Sequence, residues 1–419
     1  MSSIRNWSSR SARVRTASLA LVLAAAGAAA AIELQSVPAA RSAQGLGAEP
    51  DEIFIPGNEI PESTFFGETI SRSGNTLLVG LPGYKDQTGR VAVFTRNKPT
   101  GEWKRDGSID SPSGQPQEAF GFSVAFEDNV AVSLAADALF VFRHKHSGFA
   151  LTQTLSSTAS HRFDRVTLWH KWAFVSGVEN GQNVIHVFKV LPAGFLVPVQ
   201  KLHSDGSPDD GFGTALAVSN GTLVVGAPGD DETRGAAYIF ELRAGHGPRR
   251  WVRSQKIVVP GGASLDSFGT AVAVGNGVLA IGAPGEFVAE DPDCGFGVYF
   301  GATYVLRRAG GEWTQQQKLM APRCQSGFGA LVAVGGEWLI GAAPSSFPEQ
   351  GGQPVVYQKN ANGAYAPLAR VENSAEEIID VLYLSGQTLY VGRPFERGDF
   401  AVGAVNIFDL DNLTFLPAQ

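Results

Sequence analysis

The sequence predicts an all-β fold, namely a seven-bladed β-propeller of four-stranded antiparallel blades, with the ring closed by an N-terminal outer strand. The first reason is composition, since the 419 residues include 50 glycines and 23 prolines but only two methionines. Glycine adopts the positive φ of tight turns and proline ends strands, so this composition is typical of many short strands. The second reason is an internal repeat, and the third is a displaced strand segment near the N-terminus.

The repeat begins with Phe-Gly and ends near Gly-Ala-Pro. Its two clearest copies, Phe212–Pro228 and Phe268–Pro284, match almost position for position. The other copies are more divergent and begin at Phe66, Phe120, Phe163, Phe328 and Ile378. Seven units with a period of roughly 45 to 60 residues are typical of propeller blades and are too long for the coils of a solenoid.

Each unit contains the pattern of four strands. In the fourth unit, Thr214–Val218 and Leu223–Val225 flank Asn220-Gly221, a dipeptide that favours a tight hairpin. The third and fourth strands are predicted at Ala236–Phe240 and Trp251–Val259. We expect the Phe of each Phe-Gly pair to fill the seam between neighbouring blades, and the repeated glycines to permit close backbone contact near the channel.

Ring closure can be predicted from the two ends of the repeat array. The segment Glu52–Gly57 aligns with Lys256–Gly261, which is an outer-strand segment, but no inner strands precede it. The last repeat has the three inner strands and ends in a short stretch. We therefore expect Ile53–Ile55 to pair with the last blade and to cover an edge that would otherwise promote aggregation.

The N-terminus has the features of an export signal. Residues 1–39 are predicted to be a signal peptide, residues 40–51 a linker and residues 52–419 the propeller. Four arginines precede the apolar run Ala17–Ala31, which consists mostly of small residues. An uncleaved anchor helix is the alternative, although the run falls short of the ~20 apolar residues that a membrane span needs. The protein is therefore expected to be exported to an extracellular, periplasmic or cell-surface location.

The charge balance restricts the partners. The formal net charge is −7, and it becomes −10 when the first 39 residues, with four arginines and one glutamate, are removed. Nucleic acids and anionic lipids bind basic surfaces, so neither is expected as a partner. We also expect no transmembrane segment in the mature chain, because no later segment is apolar for long enough.

The motifs carry a family resemblance. The Phe-Gly and Gly-Ala-Pro signatures, the Gly-Ala-x-Tyr-Val third strand and the Trp…Gln-Lys-Leu outer strand resemble FG-GAP repeats, the unit of integrin α-subunit propellers and of many exported bacterial proteins. The resemblance covers residues 52–419 and implies an extracellular or surface-associated binding propeller. Integrin-type repeats often carry an Asp-x-Asp-x-Asp-Gly calcium loop between the first two strands. Here Arg72–Asn75, Ser219–Gly221 and Gly275–Gly277 lack those carboxylates, so we expect no metal and no cofactor, with calcium as the alternative.

One end of the ring is the predicted binding surface. Strands alternate in direction, so the loop between the second and third strands and the connection to the next blade emerge at the same end, here called the loop face. Loops on a rigid scaffold commonly carry function, and we expect a monomer that binds a protein or glycan there. The candidate ligand-binding residues are acidic: Asp209, Asp210, Asp230, Asp231, Glu232, Glu286, Asp291 and Asp293. The Asp-Asp pairs of one blade could also hold a cation, and ordinary solvated turns are the remaining alternative.

The two cysteines are predicted to form a disulfide. Cys294 lies in a long insertion, Glu286–Phe300, between the second and third strands of the fifth blade, and Cys324 lies in the connection that leaves that blade. Both positions belong to the loop face, and paired cysteines in an exported protein are usually bridged. The disulfide would hold the insertion against the rim.

No catalytic residue can be assigned from linear motifs. The chain contains no Gly-x-Ser-x-Gly, His-Glu-x-x-His or phosphate-binding Gly-x-x-x-x-Gly-Lys sequence. His144 and His146 are interpreted as a solvated pair, and Trp169 and Trp172 as packing residues, with sugar stacking as the alternative. We therefore expect a non-catalytic binding or adhesion module. The alternatives are a carbohydrate-active propeller enzyme, a glycoside hydrolase or polysaccharide lyase with two carboxylates about 5 to 10 Å apart, and a structural envelope protein.

Overall fold

The structure is a computed structural model, and it describes the chain in segments. These segments are residues 37–38, 50–54, 64–98, 100–158, 160–244, 247–291, 295–299, 301–320, 327–344, 353–371, 377–396 and 403–413. All of them lie within one compact unit, Leu34–Gln419.

Seven antiparallel four-stranded sheets form a propeller ring, as the sequence predicts. In order from inner to outer strand, the blades are Ile70–Ser73, Thr76–Leu81, Arg90–Arg96 and Trp103–Asp110 (blade 1); Ser123–Glu127, Val130–Ala135, Ala138–Lys145 and Gly148–Ser156 (blade 2); His161–Trp169, Trp172–Glu179, Gln182–Val190 and Leu196–Leu202 (blade 3); Ala215–Ser219, Thr222–Ala227, Ala236–Arg243 and Arg250–Ile257 (blade 4); Val272–Gly275, Val278–Ala283, Ala302–Ala309 and Glu312–Met320 (blade 5); Leu331–Gly335, Trp338–Ala342, Val355–Lys359 and Tyr365–Arg370 (blade 6); and Val381–Ser385, Thr388–Arg393, Ala404–Asp409 and Glu52–Phe54 (blade 7).

The last blade takes its outer strand from the N-terminal part of the chain. Glu52–Phe54 pairs antiparallel with Ala404–Asp409, and the backbone N–H of Asp51 donates to the carbonyl of Ile407 at 2.8 Å. The predicted closure is confirmed, with the strand beginning one residue earlier than expected. A further two-residue strand, Val37–Pro38, pairs with the outer side of Glu52–Phe54 and was not predicted.

A hydrophobic cluster fills each of the seven seams between neighbouring blades. The repeat's leading aromatic residue is buried in the seam in six units, and an isoleucine replaces it in the seventh. These residues are Phe66, Phe120, Phe163, Phe212, Phe268, Phe328 and Ile379. The prediction that the Phe fills the seam is therefore confirmed, and the core of the molecule is a ring of seven equivalent contacts.

The two repeated glycines of the motif face one another across the seam. In the contact between blades 4 and 5, a Cβ on Gly226 would lie 1.9 Å from the carbonyl oxygen of Gly269, and a Cβ on Gly269 would lie 2.3 Å from that of Ala236. Gly269 also has φ of +94°. Only glycine combines this close approach with this backbone conformation, which explains why Phe-Gly and Gly-Ala-Pro occur together.

The seven inner strands surround a central channel with a cavity of about 760 Å³. Hydroxyl side chains connect neighbouring inner strands, since the N–H groups of Val124 and Phe126 donate to Thr69 Oγ1 at 3.2 Å and Ser71 Oγ at 2.9 Å. Asp380 also lines the channel. Burial raises the pKa of its carboxyl, and the nearby Arg165 opposes that increase.

The remaining elements lie in the loops. Phe287–Asp291 and Gly295–Tyr299 form a short antiparallel hairpin, and Glu377–Ile378 pairs antiparallel with Phe395–Glu396. The helical turns are Tyr84–Gln87, Asp230–Thr233 and the 3-10 turn Leu410–Asn412. Within the described segments, no helix is long and apolar enough to span a membrane.

Candidate functional site

The loop face is built by contacts between successive blades. The loop after the second strand of blade 4 is hydrogen-bonded to the connection into blade 5, where Leu265 N donates to Thr233 Oγ1 and Ser267 N donates to the Thr233 carbonyl, both at 3.0 Å. That connection in turn contacts blade 5, since Gly285 N donates to the Asp266 carbonyl at 3.1 Å. These backbone bonds hold adjacent loops of blades 4 and 5 in one continuous surface.

Apolar side chains project from this surface. Leu265 is 57% exposed and Phe287 is 46% exposed. Leu265 has φ of +78°, and Asp231, Glu232 and Thr233 have φ between 49° and 66°. A branched side chain rarely adopts a positive φ, and such strain concentrates at functional positions. We call the surface formed by Asp231, Glu232, Thr233, Leu265 and Phe287 the blade 4–5 rim.

Beside the rim, two carboxylates share one tyrosine hydroxyl. Tyr238 Oη lies 2.7 Å from Asp205 Oδ1 and 2.5 Å from Asp230 Oδ2, so its single proton serves both. Lys256 Nζ lies 3.1 Å from Asp205 Oδ1 and 3.0 Å from Asp230 Oδ1, and Arg253 pairs with the other oxygen of Asp205 at 2.8 Å. The cluster therefore carries its own counterions.

The electrostatics of this cluster keep Asp205 and Lys256 charged and Tyr238 protonated. The hydrogen bond from Tyr238 and the ion pair with Lys256 lower the pKa of Asp205 to about 2. Burial, together with the two carboxylates, raises the pKa of Tyr238 far above its ordinary value. Burial disfavours the charged Lys256 ammonium, but Asp230 and Asp205 outweigh that effect and raise its pKa. A carboxylate held ionised in this way is a poor proton donor.

Asp210 lies within the protein rather than on the surface. It has no exposed area, and its Oδ1 accepts from Phe212 N at 2.8 Å and from Asn183 Nδ2 at 3.3 Å. Its Oδ2 has no hydrogen-bond partner within the described part of the chain. A Cβ on Gly206 would lie 2.6 Å from this oxygen and 3.0 Å from Asp230 Oδ2, so Gly206 lies where the two carboxylates approach.

The same position in other blades has the same structural role. Asp266, two residues before the Phe of the next unit, accepts from Ala263 N at 2.7 Å through Oδ2. Glu118 accepts from the hydroxyls of Ser111 and Ser113. These acidic residues hold the connection between blades, which explains the burial of Asp210.

Blade 5 repeats the cluster of blade 4 in a simpler form. Tyr304 Oη donates to Glu286 Oε2 at 2.8 Å, and Lys318 Nζ pairs with Glu286 Oε1. Sequence reasoning missed Asp205 and did not assign a role to the tyrosine and lysine. The signal was present, because the third strand carries Tyr238 or Tyr304 and the outer strand carries Gln-Lys in both repeats.

The structure separates the predicted acidic residues into groups. Asp210 and Asp230 meet inside blade 4, and Glu286 occupies the equivalent place in blade 5. Asp209, Asp231 and Glu232 are exposed, and Asp231 pairs with Arg234 at 2.8 Å. The backbone of Asp291 lies in the Phe287–Asp291 strand. Asp293, Cys294 and Cys324 lie outside the described residues, and the disulfide stays a prediction.

The aromatic residues of blade 3 take part in packing. Trp172 is buried and meets Trp251 edge to face with ring centroids 5.9 Å apart, and Trp169 packs on the same ring at the same distance. His144 stacks on Phe149 with centroids 4.5 Å apart. The packing interpretation of both tryptophans is confirmed.

The opposite end of the ring holds a mixed cluster. Glu127, Asp128 and His170 place one donor atom each within 4.8 Å of one another, and Glu127 Oε2 accepts from the backbone N–H of His170 at 2.8 Å. Burial and the neighbouring Asp128 raise the pKa of Glu127. The turn differs from the integrin calcium loop, because calcium takes oxygen ligands and one of these donors is an imidazole.

A pair of histidines lies at the loop-face end of blade 3. His161 Nε2 and His186 Nε2 are 3.0 Å apart, and His186 is only 7% exposed. Burial, followed by the charge of His161, lowers the pKa of His186 to about 4. Glu179 lies beside them and accepts from Lys201 Nζ at 2.7 and 2.6 Å, which together with both histidines lowers the pKa of Glu179.

Comparison with known proteins agrees with this architecture. The profile of the FG-GAP repeat family matches residues 199–240, from the outer strand of blade 3 to the third strand of blade 4. This segment is therefore similar to an FG-GAP repeat, and it lies within the seven-bladed propeller ring. The search of curated protein sequences finds no significant match.

Two solved structures illustrate what the whole propeller is similar to. A candidate 6-phosphogluconolactonase from Bacteroides uniformis ATCC 8492 has a TM-score of 0.51 at 11% identity, covering 78% of this chain and 93% of that one. Hsv2 of Kluyveromyces marxianus has a TM-score of 0.47 at 12% identity, covering 76% of this chain and 86% of that one. At these identities the first shows a shared fold and nothing about shared chemistry, and the second adds no argument.

Proposed function

We propose that this propeller is an exported, non-catalytic binding module that engages a protein ligand at the blade 4–5 rim. The observation that carries the proposal is Leu265, an exposed apolar side chain held at positive φ. The positive φ lets Leu265 N donate to Thr233 Oγ1, but the leucine side chain itself adds nothing to folding, because it contacts solvent and glycine would adopt the same φ without strain. A partner that buries the side chain would explain why a leucine is present at this strained position.

The chemistry of the rim indicates the kind of ligand. Asp231 and Glu232 are exposed beside Leu265, and Asp209 is exposed on the neighbouring connection. Acidic groups around exposed apolar side chains complement a segment that presents basic and apolar residues together. A protein segment fits this description better than a neutral glycan, because a neutral glycan offers no basic group to these carboxylates.

The carbohydrate-active alternative is less well supported. Asp205 and Asp230 share a hydroxyl and so lie within roughly 5 Å of one another, the carboxylate spacing of a retaining glycosidase. Such an enzyme needs one carboxylic acid that can donate a proton. Asp205 has its pKa lowered to about 2 and so does not supply that group readily, and Asp230 is engaged in an ion pair with Lys256.

The test uses a phage-displayed peptide library selected on the purified protein, and a glycan array as a second probe. We expect enriched peptides that combine basic and apolar residues. Leu265→Gly should abolish binding of these peptides. The free energy of unfolding should stay equal or rise by up to about 1 kcal/mol, since glycine tolerates positive φ without strain.

The matched control is Gln117→Gly. Gln117 is the equivalent exposed residue at positive φ in the connection into blade 2, where its N–H donates to the Asp86 carbonyl at 3.0 Å. The Gln117→Gly variant should relieve the same backbone strain without affecting peptide binding. Peptide binding that survives Leu265→Gly would overturn the placement of the site, and a glycan shown by mass spectrometry to be cleaved would favour the enzyme.

A further inference from the structure

Three of the seven histidines of the chain gather at the loop-face end of blade 3. His161 is the first residue of the inner strand, and His186 lies in the third strand. His203 follows the outer strand and is close enough to interact electrostatically with His186. Glu179, at the end of the second strand, is the register partner of His161. Three strands of one blade, and the residue that follows the fourth, therefore bring a metal-ligating side chain to the same end of the blade.

Two of these imidazoles present the same nitrogen to one another. The Nε2 atoms are 3.0 Å apart, the ring centroids are 4.6 Å apart and the ring planes are inclined by 45°. Rings that pointed straight at each other would have centroids farther apart at this nitrogen separation. The nitrogens are therefore directed obliquely. Without a metal, one Nε2 donates its proton to the other, and a shift of that proton to Nδ1 of the same ring would leave both Nε2 lone pairs free to face a common point beside both rings.

The distance between the two Nε2 atoms matches the distance between two nitrogens that bind one metal ion. Metal ions of this class bind imidazole nitrogen at about 2.0 to 2.1 Å, and two nitrogens 3.0 Å apart at that distance subtend roughly 90° at the metal. That angle is the one preferred by tetragonal copper(II) and nickel(II). No backbone movement is needed to reach it.

The surroundings hold the pair in position and leave one side open. Phe163 packs edge to face on both rings, with ring centroids 4.6 Å apart for His161 and 6.1 Å apart for His186. His186 is buried, His161 is half-buried and His203 is exposed, so a route to the pair exists from solvent. The Glu179 carboxylate lies at the same edge, where it is paired with Lys201. Its negative charge would also attract a bound cation.

We propose that His161 and His186 form a binding site for a divalent transition metal, with copper(II) as the preferred ion. Copper(II) lies at the top of the affinity order for nitrogen sites. The two ligands come from strands 1 and 3, which are separated by strand 2, so a bound ion would cross-link strands that are not hydrogen-bonded to each other. The metal would therefore stabilise blade 3 against unfolding. This site is independent of the blade 4–5 rim.

The experiment titrates copper(II) into tag-free protein that has been treated with EDTA and desalted. Isothermal titration calorimetry should give one equivalent of bound copper that is absent in His161→Gln and in His186→Gln. The electron paramagnetic resonance spectrum should show nitrogen coupling from imidazole, and copper should raise the thermal unfolding midpoint of the wild type only. His161→Gln is the more reliable variant, since His161 is half-buried and its replacement spares the core.

Two control variants distinguish this site from the other histidines. The double variant His144→Gln/His146→Gln removes the His-x-His pair, and His170→Gln removes the imidazole of the Glu127 and Asp128 cluster. Both should keep the equivalent of copper and the rise in unfolding midpoint. Copper binding that persists in His161→Gln and His186→Gln, or that disappears in either control, would overturn the proposal.

Discussion

At the scale of single residues, Tyr238 shows how one hydroxyl can organise a charged cluster. Its proton serves Asp205 and Asp230, and Lys256 balances their charge. The repeat motif alone identifies the Phe and Gly positions, because sterics at the seams restrict them in most blades. They do not identify this cluster, because Asp205, Asp230, Tyr238 and Lys256 come from four separate segments. Their meeting depends on strand register and side-chain length, which vary between blades.

Removing this hydroxyl should therefore be costly. We expect Tyr238→Phe to lower the free energy of unfolding by about 1 to 3 kcal/mol, because two carboxylates lose a buried donor. Urea denaturation followed by tryptophan fluorescence measures the change. Tyr365→Phe is the matched control, since the Tyr365 hydroxyl is buried and has no hydrogen-bond partner within the described residues. That change should be neutral or slightly stabilising, and equal losses for the two variants would contradict the role given to Tyr238.

The buried His186 predicts a pH dependence of stability. Its pKa is lowered to about 4 in the folded protein, against about 6.5 when unfolded. The folded state therefore binds fewer protons than the unfolded state, so this contribution is complete above pH 6.5 and is lost as pH falls toward 4. Urea unfolding in EDTA should show a loss of about 3 kcal/mol across that window. His186→Gln should reduce the slope, whereas His144→Gln should leave it unchanged.

At the scale of elements, the strands were predictable and the loop conformations were not. The sequence pattern placed strand 1 of blade 4 at Thr214–Val218, and the structure has Ala215–Ser219, because alternation and Asn-Gly turns act locally. The positive φ of Leu265 is absent from any local pattern. It arises because the connection must donate hydrogen bonds to the preceding blade at Thr233, which is a tertiary demand.

The contact between Gly226 and Gly269 is the element-scale reason for the repeat motif, and it can be tested. Gly269→Ala should destabilise the protein by several kcal/mol, because its Cβ would lie 2.3 Å from the Ala236 carbonyl oxygen at φ of +94°. Gly277→Ala is the matched control, since Gly277 also has positive φ (+74°) but no atom within 4 Å of its Cβ. That variant should cost only about 1 kcal/mol. Thermal unfolding by circular dichroism compares them, and similar midpoints would remove the steric explanation.

At the scale of the whole molecule, all seven seams between blades contribute to stability, and the ring has one break, which is closed only by hydrogen bonds between strands. The break lies in blade 7, where the outer strand comes from the N-terminal part of the chain. This closure was predictable because Glu52–Gly57 is an outer-strand sequence without a preceding blade. The additional strand Val37–Pro38 was not, since two residues carry no periodicity.

The closing strand therefore predicts a sharp difference between two truncated proteins. A chain that begins at residue 40 keeps Glu52–Phe54 and the bond from Asp409 N to Asp51 Oδ2 at 2.6 Å, so it should unfold in one cooperative transition. A chain that begins at residue 64 leaves the edge of Ala404–Asp409 unpaired, and we expect a lower unfolding midpoint and concentration-dependent aggregation. Calorimetry and light scattering at several protein concentrations measure both effects. Equal midpoints and equal solubility would mean that the seams alone close the ring, because the contacts between blades 1 and 7 centred on Phe66 would then suffice without the strand.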